Sequence, residues 1–228
     1  YATIMCTANL RSGLIHLYDW RGHGNDDAAI KGLVRLGYDP IDARNYAVAA
    51  CWEIIVPRCG ADVPNIDKLI FPEVVRQVTL SKLIGSESYA EFEREVKSAI
   101  EAGCDKIIER CNAAAQPRDA LISIFVSPCI ERGRYAFEGG AKYNNSSINI
   151  IGLASYADSL AAVKKFVFDE KIVTLGRLAD ILKNDWAGAD ELLIKAQAQK
   201  NRFGNDSDEP DSWAKDVFTL LSGYVNGR

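Results

Sequence analysis

Apolar and polar positions alternate between two periods along this chain. From Ser88 onward, Phe92, Val96, Ile100, Ile107 and Cys111 recur at spacings of four and seven, which places them on one helical face. Ser88 and Glu91 form a capping-box pair that opens this helix, and Gln116-Pro117 closes it. A second stripe, Ile30, Leu33 and Val34, follows the capping run Asn25-Asp26-Asp27 and ends at Gly37. Asp39-Pro40 predicts a short helix restart carrying Ala43, Tyr46 and Ala47. Further helices are predicted over 71–83, from Asp158-Ser159 through Phe168, from Thr174 through Leu182, over ADELLIKAQAQK, and from Pro210 onward.

Strand-like stretches are fewer. SGLIHLY at 12–18 and INIIGLA after Ser147 read as strands, while LISIFV at 121–126 fits either a strand or a helix. YAVAACWEIIV, residues 46–56, reads as a buried strand end followed by a loop. Glu53 is the only carboxylate inside that apolar run. A carboxylate there needs either partners or a task. Residues 132–149 are rich in Gly, Asn and Ser and read as a long loop, a length that in compact domains marks function or disorder. Strands alternating with helices predict an α/β fold with parallel strands, with too few strands to close a barrel. The expected organisation is one domain over 1–228, with an incomplete parallel sheet.

Composition narrows the function classes. The chain has 228 residues, 48% hydrophobic and 25% charged, with a net charge of −4. Such a balance lacks the clustered cations that a nucleic-acid partner requires. No apolar run approaches the roughly 20 residues of a membrane span. The six cysteines show no Cys-x-x-Cys spacing, and His16 and His23 are the only histidines, so neither a zinc site nor an iron–sulfur cluster is expected. Reduced thiols in the cytoplasm are the expected state. The chain opens on Tyr1 rather than Met, which suggests a piece of a longer polypeptide.

Three stretches carry the chemistry: DARNYAVAACWE at 42–53, CIERGRYAFEGGAKYNN at 129–145, and SLAAVKKFVFDEKIVTL at 159–175 together with RFGNDSDEPD at 202–211. In order and spacing they resemble the glycyl radical enzymes, the superfamily that includes pyruvate formate-lyase, glycerol and diol dehydratases and arylacetate decarboxylases. The resemblance implies that the chain is an incomplete part of a larger α/β barrel, with Cys51 the radical-carrying thiol and Glu53 its acid/base partner. A thiyl radical suits hydrogen abstraction because the S–H bond formed is comparable in strength to the C–H bond broken. The resemblance also implies that the protein binds no cofactor. The glycyl radical is borne on a segment outside this chain and installed by a radical S-adenosylmethionine activating enzyme. The remaining segments of the same enzyme, a small polar substrate and a second copy, as a homodimer when full length, are the other implied partners.

This sequence departs from the dehydratase pattern in two places. Ile54 follows Glu53 where those enzymes carry Pro, and Asn65 falls nearest the position where they carry Asp, with Asp62 and Asp67 flanking it and the equivalent residue left open. Asn65, Tyr143 and Asn144 are the candidates for substrate contact. Trp52 after Cys51 argues against the formate-lyase branch, which carries two adjacent cysteines. The expected reaction is a dehydratase-type C–O, C–N or C–S cleavage. The alternatives are a radical decarboxylase or a non-catalytic α/β scaffold. Ser222-Gly223-Tyr224 superficially matches a radical loop, but Thr219-Leu220-Leu221 before it continues a helix, so Gly223 is expected to be structural. The same bland reading suits Cys104, Cys111 and Cys129, expected in the core; Cys6 and Cys59 have no assigned role.

Overall fold

The computed structural model describes residues 25–49, 53–61, 63–81, 88–114 and 116–225. These fall into two compact units, the first from within 1–63 and 116–145, the second from 64–115 and 146–228. The predicted strand at 12–18 lies outside the described residues.

The first unit begins with α1 (Asn25–Arg35) and α2 (Pro40–Ala43). Gly37 stands between them at φ +93°, a left-handed conformation that lets the chain leave α1 without strain. The Asp39 carboxylate accepts the Ile41 N–H at 2.8 Å and caps α2, as its sequence predicts. Two short antiparallel strands follow, β1 (Ala47–Ala49) and β2 (Glu53–Ile55), paired Ala47 with Ile55, Val48 with Ile54 and Ala49 with Glu53. The predicted strand-then-loop over 46–56 is thus corrected to a hairpin, in which Glu53 opens a second strand. An apolar stretch cannot reveal a reversal of direction when its connection carries no turn residues. The unit continues with α5 (Ala120–Phe125), α6 (Cys129–Arg132) and a 3-10 turn at Ala136–Glu138. The ambiguous stretch at 121–126 is therefore helical, opened by Asp119, whose side chain accepts the Ile122 N–H at 2.9 Å. Its two small cores are Leu33, Tyr38, Ala43 and Val56, and Ala61, Cys129, Ala136 and Ala141.

The second unit holds β3 (Val63–Ile70) paired with β4 (Ser146–Ile151), and six helices: α3 (Phe71–Leu80), α4 (Tyr89–Ala113), α7 (Leu153–Val163), α8 (Leu175–Lys183), α9 (Asp190–Gln197) and α10 (Asp208–Val225). The stripe read on α4 is its buried face: Phe92, Val96, Ile100, Cys104 and Ile107 are all at most 2% exposed. They pack with Phe71, Tyr156, Leu160 and Val217 in one core. The cap predicted at Asp158 is displaced: α7 starts six residues earlier, after Gly152. The Asp158 carboxylate instead accepts the Phe203 N–H at 2.8 Å, a long-range use that local pattern does not reveal. After Val163 the helix widens into a π-helical turn, Lys164–Asp169. Among the described residues the strands form two sheets of two strands each, and no barrel closes. The mixed helix-and-sheet character is as expected; the β1–β2 pair, however, is antiparallel where parallel strands were predicted.

Candidate functional site

Cys51 lies outside the described residues, and of Glu53 only the backbone belongs to them. Cys51 falls in the chain between β1 and β2, and the pairing of Ala49 with Glu53 brings the two flanks of the 50–52 segment side by side. Cys59, downstream of β2, is partly buried.

The segment 141–145 grips both ends of this hairpin. At the downstream end, the N–H groups of Lys142 and Tyr143 donate to the Cys59 carbonyl at 3.0 and 3.1 Å. The Ala61 N–H donates to the Tyr143 carbonyl at 2.9 Å, so Gly60 and Tyr143 form a parallel bridge. At the upstream end the side chains take over. The Tyr143 hydroxyl accepts the Asp39 N–H at 2.8 Å and donates to Asp42 Oδ2 at 2.8 Å. Lys142 Nζ donates to the same oxygen at 2.6 Å. The Tyr143 ring stacks on Tyr38 with centroids 4.2 Å apart, and Asn145 donates to the Tyr38 hydroxyl.

The electrostatics follow from this geometry. Hydrogen bonds from Lys142 and then Tyr143 hold the Asp42 carboxyl below its ordinary pKa of 3.8. The Asp42 carboxylate in turn raises the pKa of Lys142. Both groups are therefore charged at neutral pH, and the proton on Tyr143 has a fixed acceptor.

The glycines and flanking charges of the same motif shape its turn. A methyl group on Gly140 would meet the carbonyl oxygens of Arg134 and Tyr135 at 2.3 and 2.6 Å. Only glycine allows that approach. Arg132 Nη1 donates to the Ala141 carbonyl at 2.6 Å, and Arg118 donates to Glu138 at 2.7 Å. The loop predicted over 132–149 is thus a tightly bonded turn through Asn145 that passes into β4 at Ser146.

Of the three candidates for substrate contact, Tyr143 has its N–H, carbonyl, hydroxyl and ring all engaged within the first unit. Asn144 is exposed, with its Nδ2 donating to the Ala141 carbonyl at 3.1 Å. Asn65 falls on β3 in the second unit, and its side chain lies outside the description. Sequence reading did not single out Tyr38, Asp39 and Asp42 as site residues, yet they complete the network. The only available signal was the position of Asp42 at the head of the Cys51 stretch.

The tempting Gly223 is settled by its backbone: it lies within α10, and its neighbour Tyr224 donates to Asp105 Oδ2 at 2.8 Å. Cys104 and Cys129 are buried, and burial raises the pKa of both thiols, as expected of packing residues, whereas Cys111 is only partly buried against the core. A groove of about 400 Å³ opens on the second unit, lined by Val75, Phe166, Leu178, Trp186 and Leu192. Its arginines are spent locally, Arg76 on Glu73 and Arg202 on the carbonyls of Gln197 and Gln199. Among the described residues no group of three or more His, Cys, Asp or Glu side chains is placed to hold a metal.

Comparison with known proteins gives the geometry its context. Residues 72–228 match the family described as pyruvate formate lyase-like; the match begins downstream of Cys51 and Glu53. The chain is 29% identical to the (2S)-3-sulfopropanediol dehydratase of Klebsiella oxytoca, over 90% of this chain and 27% of the relative. It is 30% identical to the trans-4-hydroxy-L-proline dehydratase of Clostridioides difficile, over 90% of this chain and 28% of that protein. Among solved structures, one describing 1,2-propanediol dehydration in Roseburia inulinivorans superposes with a TM-score of 0.76 at 26% identity, covering 89% of this chain and 29% of the other. The glycerol-bound B12-independent glycerol dehydratase of Clostridium butyricum gives 0.72 at 28% identity, covering 89% and 28%. The chain thus spans under a third of the length of these relatives.

Proposed function

The chain belongs to the pyruvate formate lyase-like family, and on that premise we propose that it is the thiyl-bearing portion of a glycyl radical dehydratase. The observation that carries this reading is likeness to dehydratases over 90% of the chain, which includes the β1–β2 hairpin with Cys51 in its connection and Glu53 at the head of β2. The incomplete barrel belongs to the same proposal: the rest of it would come from the remaining segments of the enzyme, in the cytoplasm, as a homodimer.

A glycyl radical carried outside this chain, installed by a radical S-adenosylmethionine activating enzyme, would supply the unpaired electron. The steps assigned to this chain balance as follows. The Cys51 thiyl takes a hydrogen atom from a substrate C–H, leaving an S–H bond and a carbon radical. Glu53 accepts the proton of the hydroxyl on that carbon, which makes the radical a stronger electron donor. The neighbouring C–O bond then breaks, and its electron pair leaves with the oxygen, which takes up a proton as water. The product radical regains a hydrogen atom from Cys51, and the thiyl is restored. Such proton transfer contributes roughly 10²–10⁴ in rate. Asn65 and Asn144 are proposed to contact a small polar substrate, while Tyr143 is assigned to the scaffold.

The test is Cys51→Ser in the full-length enzyme. The serine O–H bond is too strong for the stored radical to break, so turnover is expected to vanish with the glycyl radical signal intact. Turnover retained in that variant removes Cys51 from the mechanism.

A further inference from the structure

We propose that Tyr143 and Asp42 form a clamp that positions the Cys51 hairpin for hydrogen-atom transfer, with Tyr143 a positioning residue that touches no substrate. This rests on the reading of Cys51 as the hydrogen carrier. The geometry is unusual in its economy: one residue ties together both ends of one hairpin. The Tyr143 backbone binds Cys59 and Ala61, beyond β2. Its hydroxyl binds Asp39 and Asp42, ahead of β1. Its ring covers Tyr38, which is 5% exposed. Lys142 adds an ion pair to the same carboxylate oxygen, neutralising the charge on which the Tyr143 proton rests.

The physical consequence lies in distance. Hydrogen-atom transfer needs the donor and acceptor near contact, and a misplacement of about 1 Å costs roughly a hundredfold in rate. β1 and β2 have three residues each and, among the described residues, pair only with one another. An isolated two-stranded hairpin is marginal in water. Its position must therefore be set from outside, and the clamp supplies contacts at both ends. Val56, 1% exposed, seats the downstream end in the same small core as Tyr38 and Ala43.

The experiment reads hydrogen transfer without a substrate. In deuterium oxide the Cys51 thiol becomes S–D. If it passes that deuterium to the glycyl radical and takes back a hydrogen, S–D breaks as Cα–D forms, and the glycyl proton is replaced. The electron paramagnetic resonance doublet then collapses toward the much smaller deuterium splitting. Full-length activated enzyme is compared with Tyr143→Phe, which keeps the ring and removes the hydroxyl, and with Asp42→Asn. Both variants are expected to store the same radical content while the collapse slows by roughly tenfold or more. Collapse within about twofold of the parent rate overturns the clamp. So does a fall in stored radical that accounts for the whole effect, because that marks damage to the fold. Should Tyr143→Phe not accumulate, Asp42→Asn is read by the same two criteria. Cys51→Ser separates the two failures. If it too collapses at the parent rate, Cys51 is not the carrier and the functional reading falls. If it blocks collapse while Tyr143→Phe does not slow it, only the clamp is lost.

Discussion

Asp42 shows how much a single carboxylate can organise. Its pKa is lowered chiefly by the Lys142 hydrogen bond, so folding favours its charged form. The stability it contributes is present above its ordinary pKa of 3.8 and is lost as pH falls through its lower folded value. Asp42→Asn is accordingly expected to lower the urea midpoint at pH 6, with the gap to the parent closing as the pH drops below about 4. Urea titrations of parent and variant across that range check it; a gap independent of pH would count against the ion pair. Gly140 is a harder constraint, since the obstacle to a side chain is two backbone carbonyls rather than a movable side chain. Gly140→Ala is expected to cost about 1–3 kcal/mol in chemical denaturation, an overpacking penalty.

At the scale of elements, α4 was the most legible feature. Its cap, its buried stripe and its end all follow from local rules, and Ser88 does accept the Glu91 N–H at 3.3 Å. Ile100, fully buried on that face, is expected to cost about 2–5 kcal/mol when cut to alanine, read as a shift in denaturation midpoint. The start of α7 was less legible, because Gly152 acts through space. It sits at φ +81°, and a Cβ there would meet the Pro72 ring at 2.7 Å. Asp158 is a plausible cap by type, but its partner is Phe203, 45 residues away. The hairpin was hidden for a related reason. Apart from Glu53, residues 46–56 are apolar on both strands, and such a stretch says burial without saying where the chain turns.

At the scale of the whole molecule, the proposed function gives these 228 residues the hydrogen-carrying thiol and leaves the radical glycine to another segment. Gly223, the one superficial match, is committed to α10, where its backbone serves a helix. The 228-residue chain treated anaerobically with an activating enzyme and S-adenosylmethionine is therefore expected to give no glycyl doublet in electron paramagnetic resonance. A doublet from this chain by itself would overturn the division of labour proposed above. No helix among the described residues is long and apolar enough to cross a membrane. The net charge of −4 likewise gives no reason to expect a polyanionic partner.

The amino-acid order by itself determined most of the helices, several of their caps, the glycine-rich connection ahead of β4 and the candidacy of Cys51 and Glu53. All of these rest on interactions between residues a few positions apart, or on motifs that keep their spacing. Only the tertiary structure brought Tyr143 together with Asp39 and Asp42 ahead of β1. Its partners Asp39 and Asp42 stand about a hundred positions upstream. A hydroxyl, an amide and a carboxylate so far apart along the chain become one network only once folding has closed the intervening loops, and no local pattern records which distant groups will meet.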